Sequence, residues 1–164
     1  MRRDSLVLLE EDHARLTGIL GRLLTDASAK AVFLVNRSGE HITASGDLDG
    51  VDPTSLASLT AGNVAATQGL ARLLGEQEFS ILFHEGVREH LHMSVVPGGA
   101  ILLVVFDQRS SLGMVRLRVK KIASEIGAVL EENRARSEAL HGFPLGSSEA
   151  FTGITDEDID AFFR

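Results

Sequence analysis

The sequence predicts an α+β domain. Three segments carry apolar residues at helical spacing, and five short runs carry the apolar or alternating pattern of strands, in the order helix, two strands, helix, three strands, helix. The turn Asn36-Arg37-Ser38-Gly39 makes the first two strands a hairpin, and Pro97-Gly98-Gly99 makes a tight turn before the last strand. A length of 164 residues is one domain by the usual prior and is enough to bury a core.

The first helix is predicted from Ser5 to about Ala27, with Leu9, Leu16, Ile19, Leu20, Leu23 and Leu24 on one side and charges on the rest. Ala31 to Val35 is a continuous apolar run suited to a strand buried on both faces, and His41 to Ala44 returns beside it. A polar loop, Gly46 to Gly50, leads into the middle helix, Pro53 to Gly75. Asp52 caps that helix, Pro53 fills its first position and Gly75 stops it. Three strands follow: Glu78 to His84, Glu89 to Val96 and Ala100 to Asp107, the last being the most apolar run in the chain.

The final helix is predicted from a Ser110 or Ser111 cap to roughly Glu138, with Leu112, Val115, Val119, Ile122, Ile126 and Val129 covering the sheet. Arg116, Arg118, Lys120 and Lys121 cluster on its outer side and read as a solvated basic flank. The domain is thus assigned to residues 1–138, a Gly-, Ser- and Pro-rich linker to 139–153, and an acidic and apolar segment to 154–164. In that segment Thr155 can cap a short helix with Ile159, Phe162 and Phe163 on one face. Such a helix is marginal alone, so it is expected to dock on its own domain or in a partner's groove.

The middle helix departs from the usual surface pattern. From Pro53 through Ala71 it has no Asp, Glu, Lys or Arg, although surface helices normally carry charge outward. Leu56, Leu59, Leu70, Leu73 and Leu74 fall on one side, which is expected to pack on the core. The opposite side collects Ser58, Ala61, Gly62, Ala65, Gly69 and Arg72. Each helical glycine costs about 1 kcal/mol relative to alanine, so this side reads as a surface where another helix or a partner comes close. A helix wholly buried within the domain is the competing reading, and the many Ser, Thr, Asn and Gln residues argue against a membrane span.

A net charge of −7 and a pI near 5.3 argue against nonspecific nucleic-acid binding and against anionic membranes. The chain has no cysteine, so it has no disulfide, no thiol catalysis and no zinc–thiolate site. Acidic residues interrupt the N-terminal apolar run before a signal-peptide core forms, so the chain reads as cytoplasmic. The phosphate-loop, dinucleotide, serine-hydrolase and zinc-protease motifs are missing, and neither an active site nor a cofactor is expected. His84, His90 and His92 would hold a transition metal only if the strand register aligned them. No carboxylate or thiolate obviously completes that set, and exposed strand histidines are common.

The stretches SLASLTAGNVAA from Ser55 to Ala66, FHEG from Phe83 to Gly86, SLG-VRLR-KK from Ser111 to Lys121 and the closing I-D-DID-F from Ile154 to Phe162 add a resemblance. Together with the element order they resemble the Roadblock family, and within it the bacterial members that partner a Ras-like polarity GTPase. The resemblance covers nearly the whole chain, apart from the extreme N-terminus and the linker. It implies an α/β/α sandwich with an antiparallel sheet in the order 2-1-5-4-3, the middle helix on one face and the terminal helices on the other.

The resemblance also implies a homodimer through the third strands and middle helices, with Phe79, Ser80, Ile81, Leu82, Phe83, Ser58 and Gly62 in the seam. Pairing with a twin would remove the aggregation hazard of an apolar edge. The implied function is activation of the GTP-bound small GTPase by ordering its own catalytic groups, in cell polarity or motility. Ala61, Ala65, Gln68 and Gly69 are then expected to face the GTPase, with Arg72 at the margin and, less favourably, as an inserted finger. Ile154, Asp158, Ile159, Phe162 and Phe163 are expected to make a further contact. Neither nucleic acid nor membrane insertion is implied, and a cell pole is the implied location. The alternative is a noncatalytic Roadblock scaffold that binds a GTPase or a complex without stimulating hydrolysis.

Overall fold

The computed structural model describes residues 7–141. Its elements are α1 (Glu10–Asp26), β1 (Ala31–Val35), β2 (His41–Gly46), α2 (Pro53–Leu73), β3 (Ile81–Glu85), β4 (His90–Val95), β5 (Ile101–Phe106) and α3 (Leu112–His141). The strands form one sheet in the order β2-β1-β5-β4-β3, and every neighbouring pair is antiparallel. This is the expected α+β arrangement.

Layering explains the apolar runs. Val32 and Leu34 of β1 and Leu102, Val104 and Phe106 of β5 point toward α1 and α3. Ala31, Phe33, Val35 and Leu103 point the other way, toward α2. Both central strands are covered on two faces, which is why they lack alternation. On the first face the core is closed by Leu16, Ile19, Leu20 and Leu23 of α1 and by Val115, Val119, Ile126 and Val129 of α3. Burying each such side chain is worth about 1.5–3 kcal/mol. Ion pairs tie the two helices together at their outer seam: Arg136 with the buried Asp12, Arg15 with Glu132 at 2.7 Å, and Arg22 with Glu125.

Several boundaries differ from the sequence reading for local reasons. Helix α1 begins at Glu10, not near Ser5, because the buried Asn133 of α3 holds the preceding backbone. Its Oδ1 accepts from the Leu9 N–H and its Nδ2 donates to the Val7 carbonyl, both at 2.9 Å, and Leu9 stays extended. Helix α3 is capped by Ser111, whose Oγ accepts from the Met114 N–H at 3.2 Å, while the Ser110 hydroxyl donates to the Ala27 carbonyl. Helix α3 then continues to His141, past the expected end near Glu138. Helix α2 stops where predicted. Gly75 has φ +76, its N–H donates to the Arg72 carbonyl and the Glu76 N–H to the Ala71 carbonyl, the two bonds of a Schellman cap.

Gly46, at the end of β2, has φ +106, and a Cβ there would lie 2.4 Å from the Lys30 carbonyl oxygen and 2.9 Å from the Ala31 Cα. Gly50 also has a left-handed φ, +75, but open space around it. Gly46→Ala is expected to destabilise the fold by at least about 2 kcal/mol, adding backbone collision to conformational strain, and Gly50→Ala by only about 1 kcal/mol. Urea midpoints of the two variants measure the difference.

Candidate interaction surface on the middle helix and third strand

Helix α2 starts cleanly because Asp52 accepts hydrogen bonds from the Thr54 and Ser55 N–H groups, each at 3.3 Å. The Ser55 hydroxyl also donates to this carboxylate, and that bond, with the backbone bonds, holds the Asp52 pKa below its ordinary value. The residues that then meet the sheet are Ala57, Thr60, Ala61, Val64 and Ala71. They lie on Phe33, Met93 and Leu103 and, further along, on Ile101 with Leu82.

This reverses the expected orientation. The leucine side faces outward, with Leu59 73%, Leu70 57%, Leu73 83% and Leu74 72% exposed, and only Leu56 half-buried. The sheet explains the reversal. Its face toward α2 is already filled by long side chains from β1, β4 and β5, so the helix packs through its smaller residues. A periodicity that weighs leucine above alanine selects the wrong side. The reading of α2 as wholly buried also fails, since its leucines are open.

The predicted site residues separate accordingly. Ala61 is 8% exposed, beneath the helix, and offers nothing to a partner in this arrangement. Ala65 and Arg72 are exposed, and Gln68 and Gly69 are half-buried. Gln68 donates to Glu78 at 3.2 Å, Arg37 pairs with the same carboxylate at 3.0 Å, and the Arg72 Nε lies 3.4 Å from the Gln68 carbonyl. A Cβ at Gly62 or Gly69 would meet nothing within 4 Å, so packing inside the domain does not require these glycines.

Two contacts orient the flanks of α2. A Cβ built on Gly39 would lie 3.2 Å from the Ser58 Cα, which puts Ser58 beside the β1–β2 turn. Asn63 Nδ2 lies 3.4 Å from His84 Nε2, which puts Asn63 beside β3. At 100° per residue Leu59, Leu70 and Leu74 share the Asn63 flank, and Ala65, Gly69 and Arg72 share the Ser58 flank. Ser58, expected in a seam with β3, therefore lies on the far side of the helix from it. Gly62, with Ala66 and Leu73, lies on the crest.

Strand β3 pairs only with β4, so its outer row of N–H and C=O groups is an open edge. Along it Phe79, Ile81 and Phe83 are 37%, 44% and 39% exposed, Ser80 is exposed, and Leu82 turns toward α2. The Val95 N–H donates to the Ser80 carbonyl at 3.1 Å, extending the β3–β4 ladder to Ser80. The apolar edge strand is thus where the sequence predicts it, but it runs from Ile81 to Glu85 rather than from Glu78 to His84, leaving Phe79 before it, and the leucines beside it are not predicted.

The histidines do not converge. His84 pairs with Leu91 and faces α2, whereas His92 pairs with Phe83 and His90 packs on Phe83 and Phe106 on the other face. Among the described residues no group of His, Cys, Asp or Glu is placed to hold a metal. His92 is not an exposed strand histidine: it is fully buried, and neither ring nitrogen has a hydrogen-bond partner. Burial, and then the charge of Arg116, push its pKa down. The residues expected at the C-terminal contact, Ile154, Asp158, Ile159, Phe162 and Phe163, lie outside the described residues, as does most of the predicted linker. No helix among the described residues is long and apolar enough to cross a membrane.

Comparison with known proteins fits this geometry. The family model for the Roadblock/LC7 domain matches residues 17–106. Among solved structures, Myxococcus xanthus MglB is similar at 48% identity, with 78% of this chain and 96% of that one covered and a TM-score of 0.73. A gliding protein MglB from Thermus thermophilus is 34% identical, with 80% and 99% covered and a TM-score of 0.72. A structure described as MglB with tetrameric arrangement is 33% identical, with 80% and 99% covered and a TM-score of 0.73. No curated protein sequence matches the chain.

The buried histidine has a measurable consequence. Its folded pKa lies below the ordinary 6.5, so as pH falls the unfolded chain takes up this proton first. Stability is therefore lost as pH drops through about 6.5 and stops falling, for this group, below the folded pKa. His41, lowered by burial and then by His13, acts in the same direction. Stability from denaturant unfolding between pH 7.5 and 5 is expected to show a slope of up to about 1.4 kcal/mol per pH unit from His92, with a smaller, solvent-screened contribution from the exposed His41. His92→Leu should remove much of that slope, leaving the stability at pH 7.5 nearly unchanged.

Proposed function

The chain belongs to the Roadblock/LC7 family, and from that premise we propose that it is a homodimeric regulator of a bacterial Ras-like small GTPase of the MglA kind, engaging the GTP-bound state and stimulating hydrolysis. The observation that carries this reading is the uncharged, outward-facing side of α2 lying beside the open apolar edge of β3. Solvated leucines at Leu59, Leu70, Leu73 and Leu74 are the kind of surface a partner covers. Resemblance to Myxococcus xanthus MglB and to the Thermus gliding protein supports the class of partner.

On this reading the surface has two parts. The twin is assigned the β3 edge from Phe79 to Phe83 together with the Leu59, Asn63, Leu70 and Leu74 flank, because these lie side by side. Gly62, on the crest, allows close approach between the paired helices. The GTPase is assigned Ala65 and Gly69, with Gln68 and Arg72 at the margin. Ala61 and Ser58 leave the two sets for the reasons of burial and flank given above.

This seat carries little charge. Arg72 is its one arginine, and it folds back toward the Gln68 carbonyl. Such a surface favours holding the GTPase's own catalytic groups in order over inserting an arginine into the phosphate site. The protein needs no active site of its own for that role. Its proposed setting is the cytoplasm, with a cell pole as the place of action, in polarity or motility.

Single-turnover GTP hydrolysis by an MglA-like GTPase, with and without this protein, tests the reading. Stimulation is expected, and binding without stimulation would establish the noncatalytic scaffold instead. Ala65→Arg should abolish both binding and stimulation in a folded protein, and unchanged stimulation would sink the seat. Leu70→Glu combined with Leu74→Glu should halve the mass measured by light scattering. Removal of everything after Gly153 is expected to weaken GTPase binding while the dimer persists.

A further inference from the structure

A second surface lies on the opposite side of the sheet from α2. Phe83 stacks on Phe106 at a ring separation of 6.2 Å, and Phe106 belongs to the core beneath α1 and α3. Phe83 therefore points to that face, as does Ile81 two residues earlier, yet both stay substantially exposed. Helix α3 stops short of covering β3.

The wall of this uncovered strip is basic. At 100° per residue Arg116 lies on the flank of α3 opposite Glu125 and Glu132, which pair with α1, and so on the side of β4 and β3 where the strip runs. Lys120 follows one turn later on the same helical flank. Neither forms a salt bridge among the described residues, whereas the α1-facing flank of α3 is laced with ion pairs. The result is a channel with an apolar floor at Ile81 and Phe83, bounded at one end of the strand by Glu85, and with a cationic rim on α3.

We propose that this channel is the docking site of the chain's own C-terminal segment, Ile154 to Arg164. That segment carries Asp156, Glu157, Asp158 and Asp160 against a single arginine, and it offers Ile159, Phe162 and Phe163 to an apolar floor. The tether reaches. His141 lies ~32 Å along α3 from Lys120, and the chain from His141 to Ile154 spans up to about 43 Å when extended. A tether also sets a local concentration on the order of millimolar, so weak intrinsic affinity suffices for docking.

Other surfaces suit the segment less well. The α2 crest offers an acidic sequence only Arg72. A groove of about 560 Å³ between the β1–β2 turn, the β4–β5 turn and α3 contains Arg37 and Arg134, but Arg37 is paired with Glu78 and Glu138 stands in the wall. Docking in the α3–β3 channel would hold the segment, in the protein without GTPase, on the face away from the proposed GTPase seat, and a segment that contacts the GTPase would have to leave the channel. This inference stands independently of GTPase activation and is tested without it.

The chain has no cysteine, so Ala161→Cys in the full-length protein accepts a single nitroxide label. The expected result is paramagnetic broadening of amide signals from Ile81 to Glu85 and from Arg116 to Lys120. It should be lost in Arg116→Glu/Lys120→Glu and retained in Arg72→Glu, with the amide spectrum reporting the fold of each. If the double reversal does not fold, Arg116→Gln/Lys120→Gln and a salt titration make the same test, both expected to weaken the broadening. Broadening centred on α2 or on the two turns, no localised broadening, or channel broadening indifferent to both charge and salt would overturn the proposal. Mixing spin-labelled chains with isotope-labelled ones is expected to give no broadening between chains, and channel broadening only between chains would overturn the same-chain assignment.

Discussion

The close seating of α2 on the sheet governs the rest of this surface. Ala57, Ala61 and Ala71, with Thr60 and Val64, form its underside. They meet a sheet face already occupied by Phe33, Met93 and Leu103. Large side chains rise from the strands and small ones descend from the helix, so the two layers interdigitate at close-packed density. A helix with its small residues beneath and no charges in its first five turns presents leucine to solvent. The exposed leucines are thus the counterpart of efficient packing below them. They leave the domain with a surface that gains free energy when another molecule covers it.

The edge of β3 adds direction to that surface. A hydrophobic patch alone is indifferent to the orientation of what covers it, because apolar burial is non-directional. An open strand edge specifies a partner strand through its N–H and C=O spacing. Here the two features adjoin, since Asn63 of α2 reaches His84 of β3 and the leucine flank lies on that same side. In the proposed dimer, hydrogen bonding would set the register and leucine burial would supply the free energy. This combination suits a twin better than a strand edge or a leucine patch would alone. The seat proposed for the GTPase, at Ala65 and Gly69, lies on the other flank.

Much of this organisation was legible in the sequence. The continuous apolar runs at Ala31–Val35 and Ala100–Asp107 announced central strands because burial on both faces removes alternation. Asp52-Pro53 and Gly75 fixed α2 to within two residues, since capping chemistry is local and each terminus carried its own signal. The orientation of α2 was not legible. Leucine periodicity finds the apolar side of a helix, but which side packs depends on the volumes already present on the sheet, and those come from three other strands. Ala61 was misassigned for that reason. The start of α1 was hidden similarly, because the Asn133 that holds Val7 and Leu9 extended lies at the other end of the chain. His92 looked like a surface residue because nothing local records that α3 covers it.

The sheet also separates two kinds of surface, one on each face. The α2 side is nearly uncharged and suited to tight, dry contact, while the α3–β3 channel is cationic and suited to an acidic segment. Both border the same strand. In the proposed dimer, pairing of β3 with its twin would place two α2 crests side by side on one face and two channels side by side on the other. Residues directly opposite in a strand pair point to the same face, so this arrangement requires Leu82 to meet an even-numbered residue of the twin and Ile81 and Phe83 to meet odd-numbered ones. A slip of that register by one residue would instead set the α2 face of one sheet beside the channel face of the other. The exposed apolar residues of β3 therefore constrain more than dimer stability: their alternation decides which face gathers the leucines of both chains and which retains the floor of the channel.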